Sequence, residues 1–299
     1  MPDSGPRISV IIVTYNMPRE APRTIRSAAP PYQQDIAPGE VEVIVVENGS
    51  TSPLPDSVRA QPGDGVVVVD MPNPRPSPVF ALNWAAREVA RGDILLFAID
   101  GARIFTNRLF AASLAAHDLI DDAFVFTLAW HLGPKVQMVS VREGYNGKVE
   151  DKLIESSGWP AAPDGLFGVS VFAGSSANGF LRPIGESNAF SIRRSAFERM
   201  GGFDERFTSP GAGLANLEMF ARYVTRPGAR NVCLFGEGTF HQVHGGIATS
   251  GRTPASHFAD EYQGIFGRPY VRPSYDTLYF GRPRPAAKRF VQESLADGG

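Results

Sequence analysis

The 299-residue sequence contains one cysteine, Cys233. A lone thiol cannot form an intramolecular disulfide, and it excludes a zinc site built from several cysteines. Long apolar runs are missing too. No stretch approaches the roughly 18 residues of a membrane span, and the opening residues, MPDSGPR, lack the charged-then-apolar pattern of a secretory signal. These absences suit a cytoplasmic protein, with peripheral membrane attachment through a partner left open. Charge of one sign is also scarce: 29 Lys and Arg stand against 31 Asp and Glu, for a net charge of −2. That balance gives no electrostatic case for nucleic acid as a partner. No Gly-x-Gly-x-x-Gly follows an apolar run and no Gly-x-x-x-x-Gly-Lys-Ser/Thr occurs, which argues against a dinucleotide fold and a P-loop.

What is present is a globular composition, 43% hydrophobic and 20% charged. The stretch Gly92–Ala102 organises the rest. It runs apolar from Ile94 to Ile99 and stops on Asp100-Gly101. A continuous apolar run bounded by turn residues predicts a strand buried on both faces, as in a parallel sheet. The C-terminal ends of such strands open onto the crevice where α/β sheets bind ligands. Before it come β-branched runs at 8–14, 41–46 and 65–70, with helical stretches over roughly 18–29 and 80–91. That alternation predicts an α/β fold with a mainly parallel sheet. Residues 103–120 read as an amphipathic helix, 124–130 and 136–141 as further strands, and 156–185 as a long surface loop. Trp159, Phe167, Phe172 and Phe180 in that loop are candidates for stacking on an acceptor or for plain packing.

Ser9-Val10-Ile11-Ile12-Val13-Thr14-Tyr15-Asn16, Val45-Val46-Glu47-Asn48-Gly49-Ser50-Thr51, Ala81-Leu82-Asn83 and Gly92–Phe97 resemble, in that order, the nucleotide-binding half of the family 2 GT-A glycosyltransferases. Glu186–Arg194 and Met200–Phe207 resemble that family's acceptor-side segment. The resemblance implies a Rossmann-like GT-A domain over residues 1–250, with a nucleotide half at 1–105 and an acceptor half at 106–250. Residues 251–299 are expected to form an extension packed back on the domain or serving as a dimer arm. The resemblance implies transfer of a sugar from a UDP- or GDP-sugar to a saccharide or glycolipid acceptor, with inversion, as in polysaccharide assembly. It also implies that Thr14, Tyr15, Asn16, Glu47, Asn48, Asn83, Asp100 and Gly101 line the nucleotide.

The family commonly ends the fourth strand with Asp-x-Asp, whose carboxylates hold Mn²⁺ or Mg²⁺ on the diphosphate. Here the tripeptide is Asp100-Gly101-Ala102, so one carboxylate is absent. Mg²⁺ often takes only one or two protein carboxylates plus phosphates, so Asp100 alone remains a candidate ligand. His241 and His244 are the others, since the family frequently supplies a late histidine. Residues three apart in an extended segment face opposite sides, so both can reach one ion only if the chain turns there; His241, ending an apolar run, is preferred.

Inverting transfer needs a carboxylate to take the acceptor proton and positive charge for the leaving diphosphate. The family's acidic pair before a helix is missing from Pro210–Glu218. Glu218 is the nearest carboxylate, followed by Glu186 and Asp204, although Glu218 could simply pair with Arg222 one turn on. Arg193, Arg194 and Arg252 are candidate cations. Two other readings stay open: a catalytically silent relative that binds sugar, nucleotide or a partner, and a nucleotidylyltransferase.

Overall fold

Ile8–Thr14 forms strand β1, Val41–Glu47 β2, Val66–Asp70 β3 and Ile94–Ala98 β4. The computed structural model describes residues 5–37, 39–60, 62–246 and 255–296. Every residue of β1, β2 and β4 is buried, as unbroken β-branched and apolar runs require when both faces of a sheet are covered. The four strands lie parallel in the order β4-β1-β2-β3. Alternate side chains go to opposite faces. Ile11, Val13, Ile44, Val46, Leu95 and Phe97 enter one core, while Val10, Ile12, Val43, Val45, Leu96 and Ala98 enter the other. Helix α1 (Ala21–Ala28) covers the second face through Ala21, Ile25 and Ala28. Short α2 spans Asp56–Ala60, and α3 (Val79–Trp84) covers the first face through Val79, Ala81 and Leu82 and continues as a π turn to Val89.

The second half extends the same sheet. Its strands are β5 (Arg103–Phe105), β6 (Ala123–Leu132), β7 (Ser170–Phe172), β8 (Ala189–Arg193) and β9 (Arg230–His241). Antiparallel β8 sits between β4 and β6, and β9 runs parallel to β6. Strands β4, β6 and β9 therefore all finish on the edge where β1 and β2 finish. Helices α4 (Leu109–Leu119), α5 (Gln137–Arg142), α6 (Gly147–Ser156), α7 (Arg194–Arg199) and α8 (Ala215–Val224) complete this part. An aromatic core binds it to the first half: Phe97 meets Phe190, Phe197 and Phe203 with ring centroids 5.1–5.4 Å apart. Each such buried ring contributes about 1.5–3 kcal/mol through area alone.

Three local expectations are corrected. Residues 103–105 are not helical: they pair antiparallel with Thr239–His241 of β9, and the helix starts only at Leu109. Residues 137–142 form α5 rather than a strand. Gln137 and Ser140, three apart, are its buried positions, a helical spacing that the alternating valines disguised. The stretch 156–185 is not an open loop; it carries a 3₁₀ segment (Pro163–Val169) and β7. Its Phe167 and Phe180 are core residues, and Phe172 stacks on Trp130, so packing takes these rings.

The C-terminal part returns to the same body. Strand β10 (Leu278–Gly281) pairs parallel with β9. Helix α9 (Ala255–Phe266) sets Phe266 and Tyr262 on Phe207. Helix α10 (Lys288–Ala296) inserts Phe290 against Phe172 and Trp130. Arg284 anchors the segment by ion pairs to Glu237 and Asp164. No helix among the described residues is long and apolar enough to cross a membrane.

Candidate active site

Strand register brings the site together. Ala98 of β4 lies opposite Ile12 of β1 and Ala189 of β8. Two residues further along, Asp100 leaves the sheet near the end of β1, while the antiparallel run of β8 carries Ser187 and Glu186 back toward it. From the other side, Arg103 of β5 and His131 of β6 both lie opposite His241, the last residue of β9. Gly101 leaves no room for a Cβ at this junction unless Thr14 shifts, because that atom would stand 2.5 Å from Thr14 Cγ2.

Asp100, His241 and His244 offer ligand atoms that all lie within 4.8 Å of one another. Among the described residues no other group of three His, Cys, Asp or Glu side chains converges in this way. The strand ends at His241 and residues 242–246 follow no regular strand geometry, so the alternation of an extended segment does not hold the two rings apart. The two imidazole Nε2 atoms face each other at 3.2 Å, and His241 Nε2 is 3.9 Å from Asp100 Oδ2. Gln137 fixes the His241 ring. Its Oε1 lies 2.7 Å from His241 Nδ1 and its Nε2 donates to the His241 carbonyl at 2.9 Å. Because that amide nitrogen is committed as a donor, Oε1 is the acceptor and Nδ1 carries the proton. The Nε2 lone pair is then directed at Asp100 and His244, the tautomer a metal ligand needs.

Electrostatics agree. Burial disfavours ionisation of Asp100, but the Arg103 guanidinium, helped by the Ala102 N–H, outweighs it and holds the carboxyl well below the usual carboxylate range. Arg103 grips Oδ2 through two nitrogens at 3.0 and 2.8 Å, and the Ala102 N–H donates to Oδ1 at 3.0 Å. Burial, reinforced by Arg103, pushes the His241 imidazole far below its ordinary value, and burial lowers His244 as well. Both rings are neutral near pH 7 and available as ligands. One oxygen and two nitrogens fit Mn²⁺ better than Mg²⁺, which prefers oxygen alone.

Other candidates fall where the topology puts them. Thr14 and Glu47 are buried at the ends of β1 and β2, and the Thr14 hydroxyl donates to Glu47 Oε1 at 2.6 Å. Glu47 also accepts from Ser50 Oγ and the Leu54 N–H, so it shapes the loop after β2. Tyr15 is exposed beside them, and Asn16, at φ +54°, ties its amide oxygen to the Ser52 N–H and the Thr51 hydroxyl. Asn48 donates to the Arg75 carbonyl, leaving its buried Oδ1 without a partner. Asn83, expected beside the nucleotide, is instead saturated by Phe203 N–H, Phe203 carbonyl and Glu205; it pins the Gly201–Glu205 loop.

The carboxylates separate sharply. Glu218 is held by Arg222 at 2.8 and 3.1 Å, and Arg222 also caps the Met200 and Gly202 carbonyls. Asp204 is clasped by Arg206, which lowers its pKa. Glu186 is half-buried, has no ion pair with a cation among the described residues, and accepts a hydrogen bond from Asn216 Nδ2 at 2.7 Å. Desolvation, with the nearby Asp100 charge, pushes its carboxyl above the ordinary range despite Asn216, Arg103 and Arg272. The helix position searched for an acidic residue thus carries an amide that orients Glu186. Arg193 and Arg194 bind the carbonyls of His117, Ala86 and Gly92, at the opposite end of β4. Arg252 lies outside the described residues. Arg103, Gln137 and Asn216 were missed; only Arg103, three residues from Asp100, left any trace in sequence.

Residues 9–99 match the family profile "Glycosyl transferase family 2". No curated protein matched the chain in sequence. The solved structure of S. aureus TarS 1-349 in complex with UDP-GlcNAc superposes with a TM-score of 0.52 at 16% identity, over 87% of this chain and 65% of that one. A longer S. aureus TarS structure gives 0.50 at 14% identity, over 88% and 43%. This chain therefore spans less than two thirds of either. A Pyrobaculum calidifontis mannosyltransferase, PcManGT, in complex with GDP-Man and Mn²⁺ gives 0.47 at 19% identity, over 97% and 70%. The chain has a family 2-like GT-A glycosyltransferase fold, with the family's sequence signature running from β1 to the end of β4.

Proposed function

We propose that the protein transfers a sugar from a nucleoside-diphosphate sugar to an acceptor hydroxyl, with inversion at the anomeric carbon. The observation that carries this is the convergence of Asp100, His241 and His244 at the sheet edge, with Glu186, free of ion pairs among the described residues, near enough to feel the Asp100 charge. A divalent ion held by these three would neutralise charge on the diphosphate. Glu186 takes the acceptor proton as the acceptor oxygen bonds to the anomeric carbon. The bond from that carbon to the diphosphate breaks, and its electron pair leaves with the nucleotide. A carboxyl pKa raised toward the working pH suits that exchange. Asn216 aims Glu186, Arg103 keeps Asp100 ionised and oriented, and exposed Tyr15 offers a ring for the base. UDP or GDP is the expected nucleotide and a saccharide or glycolipid the expected acceptor, in the cytoplasm or at a membrane surface; a homodimer belongs to the same proposal.

Calorimetric titration of UDP, GDP and their sugars, with and without Mn²⁺, on wild type and Asp100→Ala tests the reading. Metal-dependent nucleotide binding lost in Asp100→Ala, with slow donor hydrolysis by wild type, supports it. Binding without any donor turnover favours the silent relative, and absence of nucleotide binding overturns the proposal.

A further inference from the structure

Between the two histidines lies Val243, and both of its backbone groups are held by one ion pair from distant parts of the chain, its carboxylate buried and its guanidinium partly so. Glu150, fully buried on α6, accepts the Val243 N–H on Oε2 at 2.8 Å. Arg19, just before α1, donates to the Val243 carbonyl at 3.1 Å. The pair is closed on itself, with Arg19 Nη2 3.1 Å from Glu150 Oε1. Arg19 is itself fixed by Glu20, Asp151 and the Gly147 carbonyl, and a Cβ on Gly147 would come within 3.0 Å of it. The Tyr145 hydroxyl takes the remaining site on Glu150 Oε2 at 3.1 Å. The preceding residue is fastened too: the Gln242 N–H donates to the Ala102 carbonyl at 2.8 Å and its side chain to the Glu20 carbonyl. Neither Glu150 nor Glu20 belongs to the converging group of Asp100, His241 and His244. What these contacts determine is the path of residues 241–244, and with it whether His244 meets His241 or swings to solvent.

We propose that Arg19 and Glu150 are positioning residues for the segment that joins His241 to His244, setting ion affinity by holding Val243 from both sides. This rests on the reading of Asp100, His241 and His244 as metal ligands. Outer-shell partners of ligands are commonly worth about 10–100-fold in metal affinity. The chain buries the Glu150 carboxylate and part of the Arg19 guanidinium, where an apolar pair could stand at little cost in stability, so the value of the pair lies in the two backbone groups it grips.

The test is Mn²⁺ binding, followed by the spin-resonance signal of free Mn²⁺, together with thermal melting. Glu150→Leu is expected to weaken Mn²⁺ by at least about tenfold. Asp151→Asn removes ion pairs to Arg19 and Arg23 in the same cluster but no contact to Val243, and is expected to stay within about twofold of wild type, a bound set by its lack of any contact to that segment. Should Glu150→Leu fail to fold, Arg19→Met keeps the aliphatic stem and is expected to weaken Mn²⁺ in the same direction. Wild-type affinity in a folded Glu150→Leu or Arg19→Met protein overturns the proposal, as does an equal loss in Asp151→Asn. If wild type itself binds no Mn²⁺, the failure belongs to the metal reading beneath it.

Discussion

Replacing Gln137 with leucine separates the role of one amide from that of the ring it holds. The two side chains are close in volume, so no cavity is created, and the Gln137 backbone N–H keeps its bond to His131 Nδ1 at 2.9 Å. What disappears is the 2.7 Å contact to His241 Nδ1 and the 2.9 Å bond to the His241 carbonyl. Both partners stay buried, since His241 is 3% exposed and Gln137 fully enclosed. A buried donor or acceptor left unpaired costs about 1–3 kcal/mol, so the two together predict a loss of roughly 2–6 kcal/mol. At on the order of 2 °C per kcal/mol for a chain this size, the melting temperature falls by roughly 4–12 °C. The ring also loses the acceptor that fixed its tautomer, so Mn²⁺ affinity falls by about tenfold or more. Urea denaturation and Mn²⁺ titration on the same preparations measure both. A Gln137→Leu protein as stable as wild type, with unchanged Mn²⁺ affinity, would refute the argument that Gln137 sets the tautomer.

Glu186→Gln is expected to slow donor turnover by about 10²–10⁴ with nucleotide binding retained, whereas Glu218→Gln loosens the Arg222 contacts and lowers stability more than turnover; comparing rate and melting for the two variants checks this. His117 is fully buried, and burial, with Arg193 adding, pulls its pKa to about 4. The unfolded imidazole binds a proton below about 6.5 while the folded one does not until about 4, so roughly 3 kcal/mol of stability, present above pH 6.5, drains away as pH falls through that window. Denaturant titrations from pH 7 to 4 should show a shallower slope in His117→Gln. Gly101→Ala forces a methyl onto Thr14 and is expected to cost about 1–3 kcal/mol, read by the denaturant midpoint.

The first hundred residues were legible because their physics is local. Unbroken β-branched runs form strands, buried throughout in β1 and β2 and half-exposed in the edge strand β3, and turn residues mark where each stops. From residue 103 onward tertiary partners decide. Arg103–Phe105 is a strand because β9 lies beside it, and Gln137–Arg142 is a helix whose buried Gln137 has no meaning until His241 arrives from a hundred residues away. The same contrast runs through the site. Asp100 announced itself by ending an apolar strand, and the paired histidines by their rarity. That Glu186 rather than Glu218 comes within range of the Asp100 charge depends on the reversed direction of β8, which no window of sequence records. The bland expectation for Glu218, a pair with Arg222 one helical turn away, is what the structure contains.

The missing second carboxylate changes how the site should behave. An Asp-x-Asp site would present two negative charges to the ion; here Asp100 is offset by Arg103 at 2.8 Å, and both imidazoles are neutral. The protein part of the site is close to zero net charge, so it attracts a divalent cation mainly through the ligand lone pairs. The diphosphate, arriving with its own negative charge, supplies what the second aspartate would have. Each unit charge about 4 Å from a divalent ion is worth on the order of 8 kcal/mol at an effective dielectric constant near 20, twice the figure for two unit charges. Ion and nucleotide should therefore bind as a strongly coupled pair, each raising the other's affinity by the same factor. Mn²⁺ titrations with and without UDP or GDP, and the reverse titrations, should give one common factor well above ten. Two equal affinities would mean that Arg103 does not neutralise Asp100 in the way its geometry implies.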